Sequence, residues 1–253
     1  TVLSFTSFNS QVRFMAFAMD HEGAYEGVLI RDRGWDMLNR PTLDYARSHF
    51  DGAGVVVPRN WYIAFDDEQK KYIEIVGDTS VVRATAMLGL MPEEVQVTGI
   101  QNSLVAGSFF AEHDEASCLL SQAMAQSLGI AADRIGQTTV RVFGQDLIVR
   151  GLFDATALEG IRDLDDESLL PADFQMSSAQ ALGPDSGDNM SIEVESSALT
   201  IRPFVHLEAD NVVLLPYTTL REAGGTLRSV AVRMEEGDQV QSLVENFLLR
   251  LAI

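Results

Sequence analysis

Residues 95–155 constrain this chain more than any other stretch: VQVTGIQNSLVAGSFFAEHDEASCLLSQAMAQSLGIAADRIGQTTVRVFGQDLIVRGLFDA. Alternation over residues 95–98 predicts a strand. A Gly-Ser-Phe-Phe loop at 107–110 and an acidic turn at 112–115 lead to an apolar run, Ala116-Ser117-Cys118-Leu119-Leu120, read as a second strand. Ser121 suits a helix N-cap, and Met124 and Leu128 fall four residues apart on one helical face. Gly129 stands where a left-handed residue ends a helix. Residues 138–143 and 146–153 predict a hairpin, with Gly144-Gln145 as a two-residue type II′ turn. Taken residue by residue, the stretch specifies strand, turn, cap and hairpin, and it marks an α+β domain.

The flanks add elements of both kinds. Residues 11–31 predict a hairpin, with Met15, Phe17 and Met19 on one face and a turn at 20–23 that holds His21 as a solvated loop residue. A helix is expected from Pro41 to Phe50, with Leu43, Ala46 and Phe50 aligned. Residues 54–57 read as a short buried strand, broken by Pro58-Arg59-Asn60 and resumed at 61–65. A charged turn at 66–71 separates it from strands at 72–76 and 81–90. Toward the end, strands are expected at 191–205, 211–215 and 227–234, and a short helix after Pro216 stops at Gly224-Gly225. The last helix starts at Asp238 with Gln241 three residues on, as in a capping box. Val240, Leu243, Val244, Phe247, Leu248 and Leu251 line one face of it, read as core packing and equally able to continue into a membrane segment.

Composition narrows the function. With 18 basic and 37 acidic residues the chain carries a net charge of −19, which argues against nucleic acid and against an anionic membrane surface. The single cysteine, Cys118, has no internal disulfide partner and reads as a small buried apolar residue; a nucleophile would need a base beside it. There is no glycine-rich phosphate loop with a lysine, and no Cys/His pattern with zinc spacing. Between 154 and 195 stand eleven acidic residues and one basic residue, Arg162. Their spacing does not match a helix-loop-helix calcium loop, so the segment reads as a solvated insertion with a loose loop at 183–189. His113-Asp114-Glu115 is the only local acid/base cluster and reads as a surface turn. Trp35 and Trp61, the latter with Tyr62 and Phe65, are core anchors or the lining of a pocket. No catalytic, cofactor-binding or metal residue is assigned.

The central stretch resembles the extracytoplasmic core domain of MacB-type and FtsX-like ABC transporter permeases. The resemblance rests on Thr98-Gly99-Ile100, Gly107-Ser108-Phe109, the acidic turn at 112–115, Cys118-Leu119-Leu120 with Ala125 and Leu128-Gly129, Ile135-Gly136-Gln137, and Ile148-Val149-Arg150-Gly151. Downstream, Val212-Val213-Leu214-Leu215-Pro216 resembles that family's strand running into a proline before a helix. Ser108 stands where the family usually has arginine, which leaves any ion pair of that arginine open.

The resemblance implies a mixed α/β lobe of strand-helix-strand units, residues 1–94 and 205–253, with both termini toward the membrane. Residues 95–155 would form the core of a second, β-rich lobe, and 156–204 an acidic insertion. It implies a non-catalytic domain outside the cell membrane, working with parent transmembrane helices and a cytoplasmic ATPase. The partners expected are an extracytoplasmic protein or lipoprotein and a second copy of the permease. The start at Thr1 is read as that of a domain cut from between membrane helices. A self-contained ligand-binding module with Trp61, Tyr62 and Phe65 at its pocket is the second reading. An enzyme using His113 or Asp165 is the third.

Overall fold

The computed structural model describes residues 3–5, 12–19, 25–32, 38–64, 72–173 and 205–251. His21, Trp35, Phe65, the charged turn at 66–71, the loop at 183–189 and all but the last residue of the strand expected at 191–205 lie outside them.

Strands β1 (Leu3–Phe5), β2 (Val12–Met19) and β3 (Tyr25–Asp32) form an antiparallel meander, so the first hairpin is present as expected. Helix α1 (Arg40–His49) follows. Asn39 caps it, its side-chain oxygen accepting the Thr42 N–H at 3.0 Å. Pro41 sits in the first turn, where a backbone N–H has no helical partner to lose. Leu43, Ala46 and Phe50 are buried along one side.

Strand β4 (Gly54–Ile63) corrects the sequence reading, because it runs through Pro58 without a break. Strand β13 (Thr226–Met234) inserts between β3 and β4, antiparallel to both. On its other edge β4 pairs with β7 (Ala86–Leu90) only over residues 60–63. Pro58 lies past the end of that ladder, so its missing N–H leaves no gap there.

The remaining strands are β5 (Ile73–Val76), β6 (Val81–Ala84), β8 (Leu104–Gly107), β9 (Ser117–Ser121), β10 (Thr139–Val142), β11 (Gln145–Phe153) and β12 (Val212–Pro216). All join one mixed sheet in the order β1-β2-β3-β13-β4-β7-β12-β9-β11-β10-β5-β6, with β8 also on β11. The β7–β12 and β9–β11 joins are parallel. The strand expected at 81–90 is present but divides at Thr85. Its first half closes the outer end of the sheet and its second half lies at the centre. The sheet therefore curls back on itself, and Thr85 is held at the corner by the Ala64 and Asn211 backbones.

Period-2 alternation sorts the side chains. In β7, β9 and β12, Met87, Cys118, Leu120, Val213 and Leu215 face the inside of this curl. Ala86, Leu88, Leu90, Leu119, Val212 and Leu214 face the other side. Both faces are buried, which is why these strands read as unbroken apolar runs. Helix α3 (Gln122–Ser127) packs into the curl through Met124 and Ala125. Ser121 caps it as expected, accepting the Met124 N–H at 3.1 Å, and Gly129 closes it with φ 72°. At the other end of the sheet, α1 and α6 (Val240–Leu251) cover β3 and β13 through a cluster of Phe50, Val230, Val232, Val244 and Phe247. Each such side chain, fully buried, contributes about 1.5–3 kcal/mol. Among the described residues no helix is long and apolar enough to cross a membrane.

Four further expectations are corrected. Residues 94–97 form a helical turn, α2 (Glu94–Val97), and not a strand. The carboxylate of Glu94 is drawn inward by Arg59, and Val95 and Val97 still find apolar neighbours on two separate clusters. The β10–β11 turn is Phe143-Gly144, both with positive φ (50° and 79°), as in type I′; this geometry matches the twist of the strands it joins. The last helix is entered through a 3-10 turn, Gly237–Gln239, so Asp238 lies inside that turn and is not the cap. Residues 154–173 are packed, not solvated. Asp154 caps α4 (Ala155–Glu159), and Leu158, Leu164, Leu169, Leu170 and Ala172 are buried.

Candidate functional site

The densest polar arrangement is a buried ionic cluster. Arg59 points from the middle of β4 into a position that is 1 % exposed. Its Nε and Nη2 donate to the two carboxylate oxygens of Glu94, each at 2.9 Å, and its Nη1 donates to Asp163 Oδ2 at 2.5 Å. The remaining acceptors are also used. Thr98 donates its hydroxyl to Glu94 at 3.0 Å, and the Leu164 N–H donates to Asp163 Oδ1 at 2.8 Å. Burial alone would lower the Arg59 pKa. The charges of Asp163 and Glu94 and their hydrogen bonds outweigh it, so the guanidinium is held protonated. Local backbone geometry sets the pair up. The loop after α4 turns through Asp166 at φ 61°, and the Asp163 N–H meets the Glu167 carbonyl at 2.8 Å. Every acceptor named is committed, so the cluster fixes the loop against the sheet and offers no free base or nucleophile.

The same loop borders a hollow of about 550 Å³, where Glu159, Arg162, Glu167, His206 and Glu208 converge. His206 spans it, with Nδ1 2.7 Å from the Leu170 carbonyl and Nε2 3.1 Å from Glu167. Glu159 accepts the Ala209 N–H at 2.9 Å. These contacts tie the segment around 206–209 to the end of α4 and the loop that follows.

The sequence candidates do not converge with one another. Cys118 is fully buried in β9, and burial pushes its thiol up to about 12, which makes it inert as a nucleophile at neutral pH. In the acidic turn, Asp114 accepts the Ala111 N–H at 2.6 Å and pairs with Arg150 at 2.7 Å. The turn thus has a cation even though Ser108 replaces the arginine that the resemblance would place there. His113 and Glu115 are exposed in the same turn, and α5 (Tyr217–Glu222) holds it through a hydrogen bond from the Thr219 hydroxyl to the Glu115 carbonyl. Trp61 and Tyr62 are neighbours in β4 and so face opposite sides of the sheet. Trp61 is buried with Arg228 over its ring at 5.8 Å, and Tyr62 meets Phe143 edge-on at 5.2 Å. They do not share a pocket. Among the described residues, no group of three His, Cys, Asp or Glu side chains is placed to hold a metal ion.

Sequence reasoning missed the ionic cluster. Its three members are far apart in the chain, and Asp163 is one acid among many in its segment. The available signal was Arg59 itself, a charge inside a run of strand-forming residues.

No family model and no curated protein matches this sequence. Solved structures do. The chain is similar to the extracellular domain of the noncanonic ABC-type transporter YknZ from Gram-positive bacteria, at 14% identity over 82% of this chain and 78% of that one, with a TM-score of 0.46. It is also similar to the periplasmic region of MacB from Actinobacillus actinomycetemcomitans, at 12% identity over 88% of this chain and 78% of that one, with a TM-score of 0.49.

Proposed function

We propose that this chain forms an extracytoplasmic domain of an ABC transporter permease, without catalytic chemistry of its own. In this reading a cytoplasmic ATPase drives the parent transmembrane helices. The domain then passes that motion to an extracytoplasmic protein or lipoprotein partner by rigid-body displacement. The observation that carries the proposal is the family-like stretch at 95–155. Its motif residues have structural work to do here. Gly107 crosses β11 so closely that a Cβ would lie 2.1 Å from the Arg150 carbonyl oxygen, and Leu128-Gly129 ends the helix that fills the curl.

The test is to tag the full product of the gene, fractionate the cells and expose intact spheroplasts to protease. The expected result is recovery in the membrane fraction, cleavage of this domain from outside, and co-purification of an ATPase subunit. Recovery of the full product in the cytosol would overturn the proposal.

A further inference from the structure

On the face of the sheet covered by α1 and α6, a cleft of about 230 Å³ opens between α1, α5 and the strands β4 and β13. Its floor is apolar, formed by the buried Leu38, Leu43 and Leu227 and the ring of Tyr217. Its rim carries Arg40, Arg47 and Arg221, three of only 18 basic residues in the chain. Two of them make long, solvent-exposed contacts, Arg40 at 3.6 Å from Asp44 and Arg221 at 3.7 Å from Glu222. Arg47 has no ion-pair partner among the described residues. Tyr217 is 6 % exposed, and its hydroxyl has no hydrogen-bond partner among the described residues. Asn60 fixes the base of that residue by donating to its carbonyl at 3.2 Å. Burial raises the Tyr217 pKa, while Arg221, Arg47 and Arg40 pull it down and Asp44 pushes it up; the three cations therefore act on one phenol.

We infer that this cleft binds a carboxylate carried on a short apolar group, such as the C-terminal residue of a peptide. Guanidinium groups match a carboxylate in planar, two-point geometry, and the phenol supplies one more donor. The volume is below the range of about 300–1,000 Å³ usual for drug-sized ligands, which leaves room for one apolar side chain and its carboxylate. On a chain of net charge −19, a cluster of cations is a local exception that draws an anion to this point. The inference does not depend on the transporter proposal.

The probe is N-acetyl-L-leucine, titrated into the 253-residue protein while the arginine side-chain N–H signals are followed by NMR. Saturable shifts are expected with the acid and none with N-acetyl-L-leucinamide. Arg47→Gln and Arg221→Gln should each weaken binding about tenfold. Tyr217→Phe, which deletes only the hydroxyl, should weaken it at an unchanged melting temperature. A peptide with a free C-terminal leucine that binds more tightly than the small acid assigns the natural ligand to a protein terminus, and equal binding assigns it to a free organic acid. Equal shifts with acid and amide, or wild-type affinity in the Arg47→Gln/Arg221→Gln double variant, would overturn the inference.

Discussion

Arg59 and Asp163 are 104 residues apart in the chain, and their side chains meet at 2.5 Å in the interior, 1 % and 0 % exposed. Glu94 completes the cluster from a third element. Removing the cation would strand two buried carboxylates. Arg59→Leu should therefore cost about 3–5 kcal/mol, measured by urea unfolding. The triple replacement Arg59→Met, Glu94→Leu, Asp163→Leu should recover most of that loss, because no buried charge is left over. A cost below about 1 kcal/mol for Arg59→Leu would show that the cluster is not desolvated as described.

Cys118 makes stability fall in alkali. Burial raises its thiol pKa from the ordinary 9.0 to about 12, so the folded state favours the neutral form. Its contribution is full below pH 9 and is lost as pH rises toward 12, at about 1.4 kcal/mol per pH unit. The unfolding free energy of wild type minus that of Cys118→Ala, measured from pH 8 to 11, should be level up to pH 9 and then fall with that slope. Parallel curves would contradict it.

Gly107 should tolerate no side chain. Its φ is 76°, and an added Cβ would approach the Arg150 carbonyl oxygen to 2.1 Å, where β8 and β11 pair. Gly107→Ala should cost about 2–4 kcal/mol in chemical denaturation, against about 1 kcal/mol for Gly144→Ala in the open turn.

Two serines should behave in opposite ways. Ser108 is exposed, so Ser108→Arg should change stability by less than about 0.5 kcal/mol. Ser121 is buried and caps α3, so Ser121→Ala should cost about 1 kcal/mol or more. Thermal unfolding of the two variants side by side checks both.

How much of this was legible from the residues depends on how far each signal reaches. A capping hydroxyl at Ser121, a left-handed Gly129 and the alternation of β10 and β11 act within a few residues, and the structure follows them. The alternation at 95–98 misled because the deciding contact, Glu94 with Arg59, lies 35 residues away. Pro58 looked like a strand breaker because only the sheet shows that the ladder between β4 and β7 ends at Asn60, short of it. The insertion of β13 between β3 and β4 joins the last strand to the first hairpin, and no local pattern encodes it. The two clefts are likewise assembled from segments that meet only in the fold.

The bend at Thr85 has a mechanical consequence. Because β6 and β7 are one covalent strand, the outer half of the sheet is tied to the centre by two routes. One passes from strand to strand through hydrogen bonds that can yield one at a time. The other is a single length of backbone that cannot stretch. A pull on β7 therefore reaches the outermost strand, β6, directly through the backbone, and reaches β5 and β10 from that outer side as well as through the seams between.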